Sequence, residues 1–123
     1  MKIFADDRRM EHKNDHNWRV PSIYQIPSDT RVISVERTDT GFQFGILGST
    51  SNGLLTNETW KCNGVFQQGW TSPDFDDKDW PSANVVGNHG DKPWKTISGI
   101  ARTAKWIWTN NNTGFVYCRL KVQ

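Results

Sequence analysis

Residues 115–122 alternate cleanly. Val116, Cys118, Leu120 and Val122 point one way, and Tyr117, Arg119 and Lys121 point the other. Strict alternation is the pattern of a half-buried strand. Residues 31–38 predict a second strand, rich in β-branched side chains, with Ile33 and Val35 on one face and Ser34 and Glu36 on the other. Residues 105–109 alternate as well and place Trp106 and Trp108 together. With the turn at 110–114 between them, this strand and the last read as a hairpin. Shorter strands are expected at 2–5 (ended by Asp6-Asp7), 22–26 (stopped by Pro27), 42–49, 54–56, 60–62 and 84–86. Gly45 and Gly48 inside one of them indicate a bulge or a close backbone approach. Ser51-Asn52-Gly53 is tight-turn chemistry, since Asn and Gly accept positive φ. Residues 8–18 have no period of either kind and read as a loop. Residues 64–90 read as irregular, with turns at Ser72-Pro73-Asp74, Trp80-Pro81-Ser82 and Asn88-His89-Gly90. No stretch holds a helical period over three turns. Short strands between Gly, Pro, Asn and Asp turns predict an all-β fold, an antiparallel sandwich or barrel.

Size and composition fill in that outline. At 123 residues the chain suits one domain, residues 1–123, with one core. Hydrophobic residues are a modest 35%, but aromatics reach 12% and compensate through the area each ring buries. Five of the seven tryptophans (Trp70, Trp80, Trp94, Trp106 and Trp108) fall within residues 69–108. Such a cluster makes either a core or a stacking surface. The net charge of +2 is scattered. Arg8-Arg9 and the Arg102/Lys105 pair are the only basic spots, so no nucleic-acid partner is expected. No apolar run approaches the ~18 residues that span a bilayer, so no membrane insertion is expected. Met1-Lys2-Ile3-Phe4 is too short and too soon charged for a signal peptide. The chain is then either cytosolic or a mature domain given a start methionine. Cys62 and Cys118 form no C-x-x-C motif. They are two buried thiols or one disulfide joining a middle strand to the last. The sequons Asn57-Glu58-Thr59 and Asn111-Asn112-Thr113 tilt the expectation toward the disulfide and a secreted, extracellular setting.

Catalysis is not expected. His12, His16 and His89 all sit in polar loops, and no G-x-S-x-G elbow exists. Asp6/Asp7 and Asp76/Asp77 are adjacent on single turns and cannot flank a sugar bond from two sides. They read as turn or N-cap residues. No cofactor is expected. Calcium is the one ion that the oxygens of Asp6, Asp7, Asp74, Asp76, Asp77 and Asp79 would suit, but no EF-hand pattern is present and solvation accounts for them. His12 and His16 have metal-like i, i+4 spacing without a helix to carry it. Sugar binding is the positive reading. It needs an aromatic face for the ring and planar hydrogen-bonding groups for the hydroxyls, on loops at the end of a rigid sandwich. Two loops qualify. One carries Asp15, His16, Asn17, Trp18 and Arg19, with Asp7 and Arg8 joining it if their turn lies alongside; the other carries Asn88, His89, Asp91 and Trp94. Trp18 and Trp94 serve equally well as caps on the ends of the core.

The order Pro73-Asp74-Phe75-Asp76-Asp77, Trp80-Pro81, Ala104-Lys105-Trp106-Ile107-Trp108 and Val116-Tyr117-Cys118-Arg119 resembles the galactose-binding-domain-like jelly rolls. These occur as lectins and as accessory domains of glycoside hydrolases such as α-L-rhamnosidases. Ala5-Asp6-Asp7, Trp18-Arg19, Ile46-Leu47-Gly48 and Trp60-Lys61-Cys62 extend the resemblance over nearly the whole chain, most strongly from Arg31 onward. It implies a jelly-roll sandwich in which the Asp76-Asp77 turn caps local backbone and seats Trp80, while Trp106 and Trp108 lie in the core. It departs from the pattern after Asp7, where Arg8-Arg9-Met10-Glu11-His12 leaves a shortened or absent strand, an open edge and room for a homodimer. The expected function is a non-catalytic, lectin-like module for a carbohydrate or glycoconjugate of galactose or rhamnose type. The alternatives are a matrix or cell-surface interaction domain that self-associates through the open edge, and an accessory domain of a glycoside hydrolase.

Overall fold

The computed structural model describes residues 1–10, 23–38, 45–91, 96–110 and 114–122. Seven strands form: β1 (Lys2–Ala5), β2 (Arg8–Arg9), β3 (Val32–Thr38), β4 (Lys61–Asn63), β5 (Asn84–Asn88), β6 (Lys105–Trp108) and β7 (Phe115–Lys121). They make a five-stranded sheet in the order β2-β1-β3-β7-β4 and a two-stranded sheet of β5 and β6. All pairings are antiparallel, and no helix occurs among the described residues. The fold is all-β and fits a β-sandwich.

The core lies between the two sheets. Ile33 and Val35 of β3, Val116 and Cys118 of β7, and Cys62 of β4 meet Ile107 and Trp108 of β6, with Ile46, Trp60 and Ala83 completing the cluster. The alternation read from β3 and β7 therefore chose the inward faces correctly. Cys62 and Cys118 are directly opposed in register and form a disulfide, and both are fully buried. Trp60, Trp70, Trp80, Trp106 and Trp108 are all buried too. On β6 both faces are enclosed, because Ile107 is as buried as its tryptophan neighbours.

Several expected elements differ. Residues 105–109 and 115–122 do not form a hairpin: β6 pairs with β5, whereas β7 lies between β3 and β4. The 110–114 connection thus passes from one sheet to the other. Of the 22–26 strand, residues 23–26 form no strand and Ser22 lies outside the described residues. Of the 42–49 strand, the described part makes only the isolated bridges Ile46 to Ile107 and Ser49 to Leu55; the second of these is also all that remains of the 54–56 strand. Thr50 to Leu54 closes as a tight turn with Gly53 at φ 94°. The strand after Asp7 is present but only two residues long.

Gly45 shows the close approach its sequence context suggested. A Cβ built there would lie 2.6 Å from Cε3 of Trp106. The indole and the backbone of residue 45 occupy the same space that a side chain would need. Gly45→Ala is expected to lower stability by about 1–3 kcal/mol, the usual scale of overpacking, as read from a urea unfolding curve. A loss below about 0.5 kcal/mol, the level of an ordinary surface change, would show that Trp106 moves aside freely.

Candidate functional site

The first candidate loop begins at the β1–β2 turn. Asp6 and Asp7 both have positive φ, 48° and 73°, as a two-residue hairpin turn demands. Asp is among the few residues that tolerate this conformation. The Asp6 carboxylate also accepts hydrogen bonds from the backbone N–H of Arg31 at 3.0 Å and of Val32 at 2.9 Å. It thereby locks the entry of β3 beside the end of β1. Asp7 accepts a hydrogen bond from the Thr71 hydroxyl and donates its own N–H to the Thr71 carbonyl at 3.2 Å. Asp6 and Asp7 are thus turn residues by backbone, as expected, but their carboxylates hold Arg31, Val32 and Thr71 from distant parts of the chain rather than capping local donors. Arg8 follows with its side chain in solvent. His16, Asn17, Trp18 and Arg19 lie outside the described residues, so no geometry joins them to Asp7 and Arg8.

The second candidate loop leaves the end of β5. Asn88 donates its N–H to Asp91 Oδ2 at 2.8 Å, and Asp91 donates its N–H back to the Asn88 carbonyl at 3.0 Å. This reciprocal pair holds Asn88 and Asp91 side by side at the surface, both exposed. His89 points inward and is 8% exposed. Its Nε2 accepts the Ile97 N–H at 2.9 Å, which leaves Nδ1 as the protonated nitrogen, 2.9 Å from the Ala101 carbonyl. Both ring nitrogens are therefore occupied by main chain. His89 stitches the 89–101 loop together, and the surface groups are its neighbours. Trp94 lies outside the described residues.

The acidic turn at 74–77 has a further role beyond the one its sequence suggests. Asp76 does cap a local donor, the Lys78 N–H at 3.0 Å, and Trp80 is seated with its Nε1 donating to Gln67. Asp77, however, is buried and accepts from Arg119 Nη1 at 2.6 Å. The Arg119 side chain is fully enclosed. Nη2 donates to the Ser72 carbonyl at 2.7 Å, and the guanidinium lies over the Phe75 ring. Burial pulls the Arg119 guanidinium below its ordinary value, opposed by the charges of Asp77 and Asp7. Lys61 and Lys121 also reach Asp77 Oδ1, at 3.5 and 3.6 Å. Among the described residues no group of three or more His, Cys, Asp or Glu side chains converges to hold a metal ion.

The 64–80 segment lies across the outer face of the five-stranded sheet. Trp70 packs edge-on against Phe4 of β1 and Tyr117 of β7. Two rings around Tyr117 stay open to solvent: Phe66, 58% exposed, and Phe115, 45% exposed. Sequence reasoning passed over both. The signal for Phe66 was the apolar pair Val65-Phe66, set among turn residues where no core period claims it.

No family model matches this sequence, and no solved structure matches it. The chain is similar to an α-L-rhamnosidase of Streptomyces avermitilis, with 25% identity over 107 residues. The similarity covers 76% of this chain and 10% of that protein, so the chain spans about a tenth of the length of the curated relative it matches.

Proposed function

We propose that this chain is a non-catalytic carbohydrate-binding module of lectin type, built on a jelly-roll sandwich and working outside the cell. The observation that carries the reading is the similarity to a small section of an α-L-rhamnosidase, a section far shorter than the enzyme. Asp6 holds two backbone amides and Asp77 holds Arg119, so these two carboxylates serve the fold. The buried disulfide supports an oxidising compartment. Exposed Arg8, Asn88 and Asp91 supply the planar hydrogen-bonding groups at the loops, with Trp18 and Trp94 as the rings that belong to the same two segments. His89 contributes by holding its loop.

The test is a glycan array followed by calorimetry with rhamnose- and galactose-terminated oligosaccharides. Binding to at least one class is expected. An array silent at every concentration would overturn the reading.

A further inference from the structure

We infer that the outer face of the five-stranded sheet carries a saccharide-stacking platform made by Phe66, Tyr117 and Phe115, distinct from the two loops. This rests on the carbohydrate-binding reading above and names where in the fold a sugar ring would sit. Tyr117 is the centre. Its ring is braced from beneath by buried Trp70, with centroids 5.2 Å apart, and Trp70 is braced in turn by Phe4 at 5.8 Å. Phe66 and Phe115 flank Tyr117 at 5.9 and 6.4 Å, and both remain about half exposed. A platform held by its own neighbours needs little ordering when a ligand arrives.

Polar groups stand where sugar hydroxyls would need them. In the sheet register Tyr117 lies between Glu36 on β3 and Asn63 on β4. Glu36 is a part-exposed carboxylate that shares one oxygen with Lys2 at 3.5 Å. Asn63 uses its side-chain oxygen to accept the Val65 N–H at 3.0 Å, which leaves the NH2 group as its donor capacity. An acceptor on one side and donors on the other therefore bracket the aromatic centre. A pyranose offers the complement: C–H groups on its face and hydroxyls around its rim. Burial and the nearby Glu36 charge raise the Tyr117 phenol above its ordinary value, so it stays a donor as well.

The shape narrows the ligand class. Phe66 and Phe115 are inclined at 67° and 59° to Tyr117. Three rings in different planes meet separate sugar units of a twisted, soluble chain. They do not make the single flat wall that a crystalline polysaccharide surface requires.

The experiment titrates isotope-labelled protein with soluble rhamnose- and galactose-containing oligosaccharides and follows amide shifts. The expected result is perturbation around residues 36, 63, 66 and 115–117. Phe66→Ala and Phe115→Ala should each weaken binding about tenfold, the scale of one aromatic contact, while Phe66→Tyr restores it. Because both rings are about half exposed, unchanged far-UV circular dichroism and urea midpoint would confirm that the alanine variants stay folded. Wild-type protein that shifts with no oligosaccharide overturns the carbohydrate-binding reading itself. Binding that survives both substitutions, with shifts confined to residues 8, 88 and 91, overturns the platform alone. Retention of wild-type protein on microcrystalline cellulose, lost on Phe66→Ala, overturns the assignment to soluble chains.

Discussion

Replacing Asp77 with alanine is expected to destabilise the protein by about 3–5 kcal/mol, the scale for breaking one partner of a buried ion pair. The Arg119 side chain has no exposure to solvent. Without Asp77 its charge would keep two backbone carbonyls and the face of Phe75, but no counter-charge. Lys61 and Lys121 would then add repulsion, since both now share Asp77 Oδ1. Replacing both partners together, as Asp77→Leu with Arg119→Met, should cost less than Asp77→Ala alone. The double change removes the charge that needs compensation, along with a buried Arg119 Nε that has no hydrogen-bond partner. Urea denaturation of the three variants reads this directly. A loss under about 1 kcal/mol for Asp77→Ala, typical of an exposed pair, would mean that water reaches Arg119. The pair would then not fasten the 64–80 segment to the sheet.

Removing the disulfide is the second large effect. Cys62 and Cys118 are separated by 56 residues in sequence, and closing a loop of that size restricts the unfolded chain by about 4 kcal/mol in the chain-entropy account. The Cys62→Ala, Cys118→Ala double variant is expected to lose a comparable amount, again by denaturation. Intact mass after alkylation without reductant should show no modification, because neither sulfur is free. Two alkyl groups added without reductant would refute the bridge. Both residues are fully buried, so the labelling is run in denaturant.

How much of the site was legible follows from the kind of information each residue carries. The partners of the Asp6 and Asp7 carboxylates lie far along the chain, but the turn itself could be read locally, since backbone conformation is a property of a few adjacent residues. The Asn88–Asp91 turn was legible for the same reason. The inward role of His89 was not, because its partners Ile97 and Ala101 lie eight and twelve residues away. Phe66 and Phe115 were not assigned because a local pattern can mark an apolar ring but cannot establish its exposure. It depends on which segments fail to cover it.

By itself the sequence determined the all-β class, the inward faces of β3 and β7, the placement of Trp106 and Trp108 on one strand face, and a bulge or close backbone approach at Gly45. These follow from alternation and backbone sterics, which act over a few residues, whereas the inward placement of Trp80, Trp106 and Trp108 was implied by the family resemblance. Only the tertiary structure decided the strand partners. Residues 105–108 and 115–121 look like a hairpin in one dimension, yet they belong to different sheets, because a turn fixes proximity and not pairing. The tertiary structure also decided that the outer face of β7 is only partly solvent. Alternation sends Tyr117, Arg119 and Lys121 away from the core but cannot say what lies there. The 64–80 segment folds back over that face, buries Arg119 against Asp77, and leaves the rings around Tyr117 open.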